Sequence, residues 1–151
     1  MSLDLDDLAG VPGTDILHRW QTEGLAPGFA GLIGFEVDDF AAGEARLVCP
    51  VSKHHANLMA GVHGGVMAGL CDAATGCALL SLLGPDERFA TTDLQIRYLK
   101  AAPIDVGRLV VEARIVHKGR RMAVAECTVS SGEDRVHARA SASMMITPRR
   151  G

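Results

Sequence analysis

One acidic side chain, Asp72, stands alone in a long apolar stretch of the sequence. Between His63 and Pro85 it is the only charged residue. A carboxylate moved into an apolar interior is costly, and it responds with a raised pKa or a dedicated partner, as acid–base residues of active sites do. The structural alternative is that Asp72 faces a loop or a subunit contact and is hydrogen-bonded there. Taken alone, this residue leaves both interpretations open.

The residues that open the same stretch, His63-Gly64-Gly65, are a second candidate for chemistry. The first N–H groups of a helix have no partner inside it and lie at the positive end of its dipole. Glycine lets a ligand approach the backbone without a Cβ in the way. Such a helix start can bind an anion or a developing oxyanion. The alternative is a flexible turn, because a Gly-Gly pair alone is weak evidence.

The two candidates are too far apart to meet within one chain. Asp72 lies nine residues beyond His63, which is ~13 Å along a helix at ~1.5 Å per residue. If the carboxylate and the helix start serve one site, a second copy of the chain must supply one of them.

Three elements are predicted ahead of this stretch. The first is a short helix with Thr14 or Asp15 as its N-cap and Gly24 as its end. Two strands follow, over residues 32–38 and 44–50, and the turn 39–43 joins them as a hairpin.

The central stretch and the second half complete a predicted α+β fold. Residues 63–83 are too many for a strand and apolar nearly all round, which predicts a helix enclosed by other elements. Four further strands are predicted, over residues 89–99, 107–117, 121–130 and 135–147. Short connections make them antiparallel. A six-stranded antiparallel sheet wrapped around the long apolar helix would bury one face of the sheet and the whole helix.

The length and composition indicate one domain, over residues 14–148, preceded by a loosely ordered segment, 1–13. The net charge of −3 gives no electrostatic reason to expect a nucleic-acid or membrane partner. The acidic first residues do not resemble a signal peptide. The four cysteines show no paired spacing, which favours reduced thiols and a cytoplasmic location.

Other catalytic classes find little support in the sequence. The six histidines show no clustered metal-ligand spacing, so we expect neither a metal nor a cofactor. Ser81 lies outside any G-x-S-x-G context, and no cysteine has an evident base partner, which disfavours a serine or cysteine nucleophile.

A longer motif joins the two candidates. It reads His55-x-Asn57-x3-Gly61-x-His63-Gly64-Gly65-x6-Asp72-x-Ala74. This string resembles the signature of the phenylacetate-degradation-type hotdog thioesterases. The resemblance extends to Thr91–Tyr98 with Ala101–Pro103, which look like the family's first strand after the helix, and to His117–Ala123, which look like its hairpin turn. It implies a hotdog fold and hydrolysis of acyl-CoA or aryl-CoA thioesters.

The resemblance also implies roles for individual residues. Asp72 matches the carboxylate that acts as general base on water, or as nucleophile through an anhydride. The N–H of Gly64 matches the donor to the thioester carbonyl oxygen. Asn57 matches a residue that positions the water or the carboxylate, and His63 one that orders the helix start. Thr91 falls where relatives place a serine or threonine that holds the water.

The substrate and the assembly follow from the same reasoning. The acyl group is expected in an apolar slot formed by Gly65, Met67, Leu70 and Leu94. The phosphates of coenzyme A could meet a basic cluster, although a solvated hairpin tip explains that cluster equally well: Lys118, Arg120 and Arg121. The family implies a homodimer that shares its sites, assembled as a dimer of dimers. The rival functions are a protein that binds acyl-CoA without hydrolysis and an enoyl-thioester hydratase.

Overall fold

The computed structural model describes residues 5–24, 28–132 and 134–149. The α-helices of these ranges are α1 (Gly13–Glu23), α2 (Phe29–Ile33) and α3 (Gly64–Leu80). The strands are β1 (Glu36–Ala41), β2 (Glu44–Pro50), β3 (Glu87–Tyr98), β4 (Arg108–Lys118), β5 (Met122–Ser130) and β6 (Val136–Pro148). Two short 3₁₀ helices lie at Leu5–Leu8 and Lys53–His55.

All six strands form one antiparallel sheet in the order β1-β2-β4-β5-β6-β3. The predicted α+β class, with its antiparallel sheet and long helix, is confirmed. The predicted strand 44–50 matches β2 at both ends, and the four later strands fall within two residues of their predicted bounds. Strand β3 pairs with β6 only, so its other edge is unpaired within the described residues.

Strand β3 contains one irregularity that controls which way its side chains point. Thr91 pairs with Met144 and Asp93 with Ser143, so Thr92 is an extra residue, a β-bulge. Side chains normally alternate between the two faces of a strand, and the bulge shifts that alternation by one. On the helix side lie Phe89, Thr91, Leu94, Ile96 and Tyr98. The outer face presents the exposed residues Asp93, Gln95 and Arg97.

Helix α3 packs against the inner face of the sheet, mainly against β2, β4 and β5. Leu70, Cys71, Ala74 and Ala78 on this helix are fully buried. The predicted enclosure is nevertheless wrong for one face, because His63, Gly65 and Asp72 are exposed. Between them the open face carries the half-buried Ala68 and Gly69. Because these two residues are small, they expose little apolar surface. An open face of this kind needs no polar side chains there, so the hydropathy pattern did not indicate it.

Helix α1 starts two or three residues earlier than predicted, so the expected N-caps Thr14 and Asp15 are wrong. Pro12 occupies the N-cap position and makes no side-chain hydrogen bond. The start is fixed instead by tertiary structure, because the Gly13 N–H donates to the Leu83 carbonyl at 3.1 Å. The predicted end at Gly24 is confirmed, and this residue adopts the left-handed conformation.

The predicted strand 32–38 is wrong in its first half. Residues Phe29–Ile33 form α2, which ends at Gly34 with a φ of 81° and its N–H bonded to the Ala30 carbonyl. Strand β1 then begins at Glu36 and runs to Ala41, three residues into the expected turn. A helix of five residues is too short to show helical periodicity, so its apolar residues read as part of the following strand.

The ends of the domain are also joined. Of the segment predicted to be loose, residues 5–8 form a 3₁₀ turn, and the Leu8 carbonyl accepts a hydrogen bond from Arg149 at 2.6 Å. Among the described helices, none combines the length and apolar character needed to cross a membrane.

We predict that Gly13→Ala lowers the free energy of unfolding by about 1–3 kcal/mol, the usual range for overpacking. A Cβ at Gly13 would lie 1.8 Å from the Leu80 carbonyl oxygen, so α1 and α3 would have to separate. Urea denaturation measures the change. The matched control is Gly84→Ala, whose Cβ would have no neighbour nearer than 3.8 Å. Equal stability of the two variants would contradict this account of the helix contact.

Candidate active site

The start of α3 has one backbone donor that the chain leaves free. His63 is the N-cap, and its Nδ1 accepts the Gly65 N–H at 2.8 Å. Its carbonyl accepts the N–H groups of Val66 and Met67 at 3.0 and 3.4 Å. The Gly64 N–H makes no hydrogen bond within the described residues. It therefore remains available, at the positive end of the helix dipole, to an oxygen atom of a ligand.

His63 is itself held by the buried His55, the first residue of the sequence motif, to which the sequence analysis assigned no role. The His63 N–H donates to the His55 carbonyl at 2.7 Å. In the His55 ring, Nδ1 accepts the Ser52 N–H, which leaves Nε2 to donate to the Ile33 carbonyl at 2.7 Å. The signal for this role was present, because Ser52-x-x-His55 has the spacing of a capping box.

Asn57 uses its side-chain oxygen inside its own loop. Oδ1 accepts the N–H groups of Met59 and Gly61 at 2.8 and 3.0 Å. This closes a tight turn in which Ala60 has a φ of 58°. The Nδ2 amide makes no hydrogen bond within the described residues, so it is the part of Asn57 that can act on a neighbour. No hydrogen bond joins Asn57 to Asp72 within the described residues.

The structure brings Asp72 and Thr91 together in one chain. The Thr91 hydroxyl donates to Oδ1 of Asp72 at 2.7 Å. Neither ion pair found among the described residues involves Asp72, so its oriented neighbour is a neutral hydroxyl. Oδ2 is left to accept a hydrogen bond from water. Asp72 is eight residues from Gly64, ~12 Å along the helix, so one chain does not bring these two together.

The thiol beside Asp72 is not a nucleophile. A hydrogen bond with Cys127, followed by burial, raises the pKa of Cys71 far above its ordinary value. Burial raises the pKa of Cys49 to about 11 and that of Cys77 to about 12. All four cysteines are free and buried, so the expectation of unbridged cysteines is confirmed.

A pocket of about 320 Å³ lies beside the free Gly64 N–H. Its walls are Val62, Gly64, Met67, Tyr98, Leu99, Lys100 and Ala101. Among the residues predicted to line the acyl slot, Met67 is in this wall and Gly65 is exposed next to it. Leu70 is fully buried in the core and Leu94 packs against the core, so neither lines the pocket.

Tyr98 is a site residue that the sequence reasoning missed. Its hydroxyl donates to the Gly64 carbonyl at 2.6 Å. Its ring lies 3.1 Å from the position that a Cβ of Gly64 would occupy. A glycine within a helix can mark a close approach of another group, and Phe29 lies over Gly69 in the same way.

The basic cluster Lys118, Arg120 and Arg121 is exposed at the turn between β4 and β5. Four residues lie side by side across adjacent strands β3, β6, β5 and β4. In that order they are Thr91, Met144, Ala123 and Lys118. The cluster is therefore three strand spacings, ~14 Å, from Thr91, on the Asp72 side of the site.

A larger open cleft of about 510 Å³ lies on the outer face of the sheet. None of the predicted site residues lines it. Two of its arginines are engaged in ion pairs, Arg46 with Asp38 and Arg114 with Glu126.

Comparison with known proteins identifies the family of the chain. Residues 59–138 match the model of the thioesterase superfamily, a span that includes Asp72, Gly64 and Thr91. A candidate esterase of Halobacterium salinarum is 36% identical over 112 residues, which cover 71% of this chain and 72% of that protein.

Solved structures of other proteins have the same fold over most of this chain. A conserved protein of Pseudomonas aeruginosa is 28% identical, with a TM-score of 0.77 over 83% of this chain and 98% of that one. A Streptococcus mutans protein solved with acetyl-CoA is also 28% identical, with a TM-score of 0.69 over 78% of this chain and 91% of that one. The chain therefore belongs to the thioesterase superfamily and is an enzyme of the hydrolase class.

Proposed function

We propose that this protein hydrolyses acyl-CoA thioesters, as a member of the phenylacetate-degradation-type branch. The observation that carries the proposal is that the open face of α3 presents two catalytic groups. One is the Gly64 N–H, which makes no hydrogen bond within the described residues, and the other is the Asp72 carboxylate, which the Thr91 hydroxyl orients. The first polarises a carbonyl and the second activates water. The acetyl-CoA bound to the Streptococcus mutans protein supports the substrate class.

The proposed reaction needs only groups of the chain and a water molecule. Asp72 takes a proton from water while the water oxygen attacks the thioester carbon, and the carbonyl oxygen becomes an oxyanion that accepts the Gly64 N–H. Collapse of this intermediate breaks the C–S bond. The thiolate of coenzyme A takes the proton from Asp72, and the carboxylic acid leaves. In the anhydride variant, Asp72 attacks the thioester carbon and the C–S bond breaks, which releases the thiolate of coenzyme A. Water then cleaves the mixed anhydride, the carboxylic acid leaves, the Asp72 carboxylate is restored, and the thiolate takes the remaining proton.

Each site is composite in this proposal, because the ~12 Å between Gly64 and Asp72 cannot be closed within one helix. Gly65, Ala68 and Asp72 form the open stripe of α3, and its midpoint lies between residues 68 and 69. An antiparallel pairing of two α3 helices about this midpoint places Asp72 of one chain opposite Gly65 of the other, beside Gly64. Asn57 and Gly64 then come from one protomer, and Asp72 and Thr91 from the other.

The sheet supports the same dimer. Strand β3 is an unpaired edge in the described chain and carries Thr91. Pairing two β3 edges by a two-fold axis would cover both edges and bring the two α3 helices side by side. Two such dimers would form the expected dimer of dimers.

The two ends of the substrate have separate places in the proposal. The acyl group enters the pocket at Met67, beside the Gly64 N–H. The phosphates of coenzyme A meet the basic tip Lys118, Arg120 and Arg121, which is ~14 Å from Thr91 by strand spacing.

The four buried free thiols suit a reducing compartment, and we infer a cytoplasmic enzyme.

We predict thiol release from at least one member of a panel of short, medium, long and aromatic acyl-CoAs, and a loss of at least about 10²-fold in kcat for Asp72→Asn. Asparagine keeps the volume and the oxygen that accepts from Thr91, but it is not basic. A thiol-reactive dye measures the release. The matched control is Asp15→Asn, an exposed carboxylate on α1, which should leave kcat unchanged.

Two results would contradict the mechanism in different ways. If the wild type binds acyl-CoA but releases no thiol from any member of the panel, the protein is a binding module. If Asp72→Asn turns over at the wild-type rate, Asp72 is a structural residue and the base lies elsewhere.

A mixture of two inactive variants should recover activity if the sites are composite. Asp72→Asn removes the base, and Asn57→Asp keeps the Oδ1 that holds its loop while replacing the free amide by a charge that repels Asp72. A hybrid dimer collects both lesions in one site and none in the other. Refolding an equal mixture should make about half of the dimers hybrid, so about a quarter of all sites regain full activity by two-fold symmetry.

Each variant refolded alone is the control, and mass spectrometry of the native dimers verifies the exchange. A mixture that contains hybrids but stays as inactive as its parents would mean that each chain builds its own site. Sedimentation of the wild type as a 15.9 kDa species alone would exclude the dimer itself.

A further inference from the structure

The peptide that joins Gly64 to Gly65 is held at both of its polar ends by side chains. Its carbonyl oxygen accepts the Tyr98 hydroxyl at 2.6 Å. Its N–H donates to His63 Nδ1 at 2.8 Å. Two hydrogen bonds on opposite sides of one rigid amide fix the plane of that amide. We call these two hydrogen bonds the grip. The Gly64 N–H belongs to the preceding peptide, and its direction depends on the grip through the φ and ψ angles of Gly64.

This grip matters because two consecutive glycines are the least ordered choice for a helix start. Glycine has more backbone freedom to lose than any other residue, and its cost in a helix is about 1 kcal/mol. Gly64 cannot gain order from a side chain of its own, because a Cβ there would lie 3.1 Å from the Tyr98 ring. Order must therefore come from neighbouring side chains.

We propose that Tyr98 is a positioning residue for hydrolysis: together with His63 it fixes the Gly64–Gly65 peptide and so aims the Gly64 N–H at the thioester carbonyl. This inference rests on the proposed function, since the N–H has a target only if a thioester binds. Tyr98 acts through the backbone and does not itself reach the reacting atoms.

The chemical state of the phenol suits this task. Burial raises the pKa of Tyr98 above its ordinary value. The hydroxyl is therefore protonated throughout the neutral range and donates to the Gly64 carbonyl. The ring also forms one wall of the pocket beside the free N–H, so the donor and the pocket are fixed by the same side chain.

The same strand orders both halves of the chemistry. Thr91 and Tyr98 are seven residues apart in β3, and an odd separation would normally place them on opposite faces of the sheet. The bulge at Thr92 puts both on the helix side, where Thr91 reaches Asp72 and Tyr98 reaches Gly64. In the composite site, one protomer supplies Thr91 and the other supplies Tyr98.

The test is Tyr98→Phe, which keeps the ring against Gly64 and removes only the hydroxyl. Loss of an oxyanion donor costs about 10²–10³ in kcat, so loosening the donor should cost less, about 10-fold. The value of KM should stay within about twofold, because the lost interaction acts on the transition state. Amide hydrogen exchange followed by NMR should show faster exchange at Gly65, with β5 and β6 unchanged.

Two controls separate positioning from general destabilisation. Thr22→Val removes an exposed hydroxyl that bonds the His18 carbonyl in α1, and it should alter neither kcat nor exchange at Gly65. His63→Ala removes the other half of the grip, so its effect on kcat and that of Tyr98→Phe should be less than additive. Fully additive losses, or a lowered melting temperature without faster exchange at Gly65, would overturn the proposal.

The readouts also separate this inference from the proposed function. Faster exchange at Gly65 with unchanged kcat would show that the grip exists but does not serve catalysis, which overturns the positioning role and leaves the hydrolase intact. Unchanged exchange at Gly65 would overturn the grip itself. A wild-type protein without thiol release would remove the function, and the positioning role with it, whatever the exchange data show.

Discussion

The packing of α3 against the inner face of the sheet is the interaction on which the other features depend. Leu70, Ala74 and Ala78 are fully buried in this contact, so the rotation of the helix about its axis is fixed. That rotation leaves Gly65 and Asp72 on the open side. The sheet that buries one face of the helix also supplies Thr91 and Tyr98 from its edge strand, so the core and the chemistry share one framework.

The fixed rotation explains why a neutral hydroxyl is the partner of Asp72. The carboxylate lies on the face of α3 that a single chain leaves exposed, so no countercharge within the chain is needed to offset burial. The requirement is orientation, which the Thr91 hydroxyl meets through one oxygen while leaving the other free. A paired arginine would have occupied both oxygens in a bidentate contact.

Much of this architecture was predictable from periodicity and from turn residues. Strand β2 and the later strands alternate clearly, and Gly24 ends α1 where expected. The start of α1 was not predictable, because a contact between Gly13 and the distant Leu83 fixes it. In the site, Asp72 was noticeable as the one charged residue in an apolar stretch, and the helix start was noticeable as a pair of glycines. The family resemblance added Thr91. The role of Tyr98 was hidden, because its partner is a backbone carbonyl 34 residues away that leaves no mark on the residue type.

The extra residue at Thr92 has a consequence for how this family member tolerates change in length. Because the bulge at Thr92 lets both Thr91 and Tyr98 face α3, the number of residues between them in β3 is fixed by these two contacts. Loss or gain of one residue in the segment from Thr91 to Tyr98 would turn one of the two contacts to the outer face without disturbing composition or hydropathy. Among relatives, we therefore expect substitutions in this segment to be far more common than insertions or deletions.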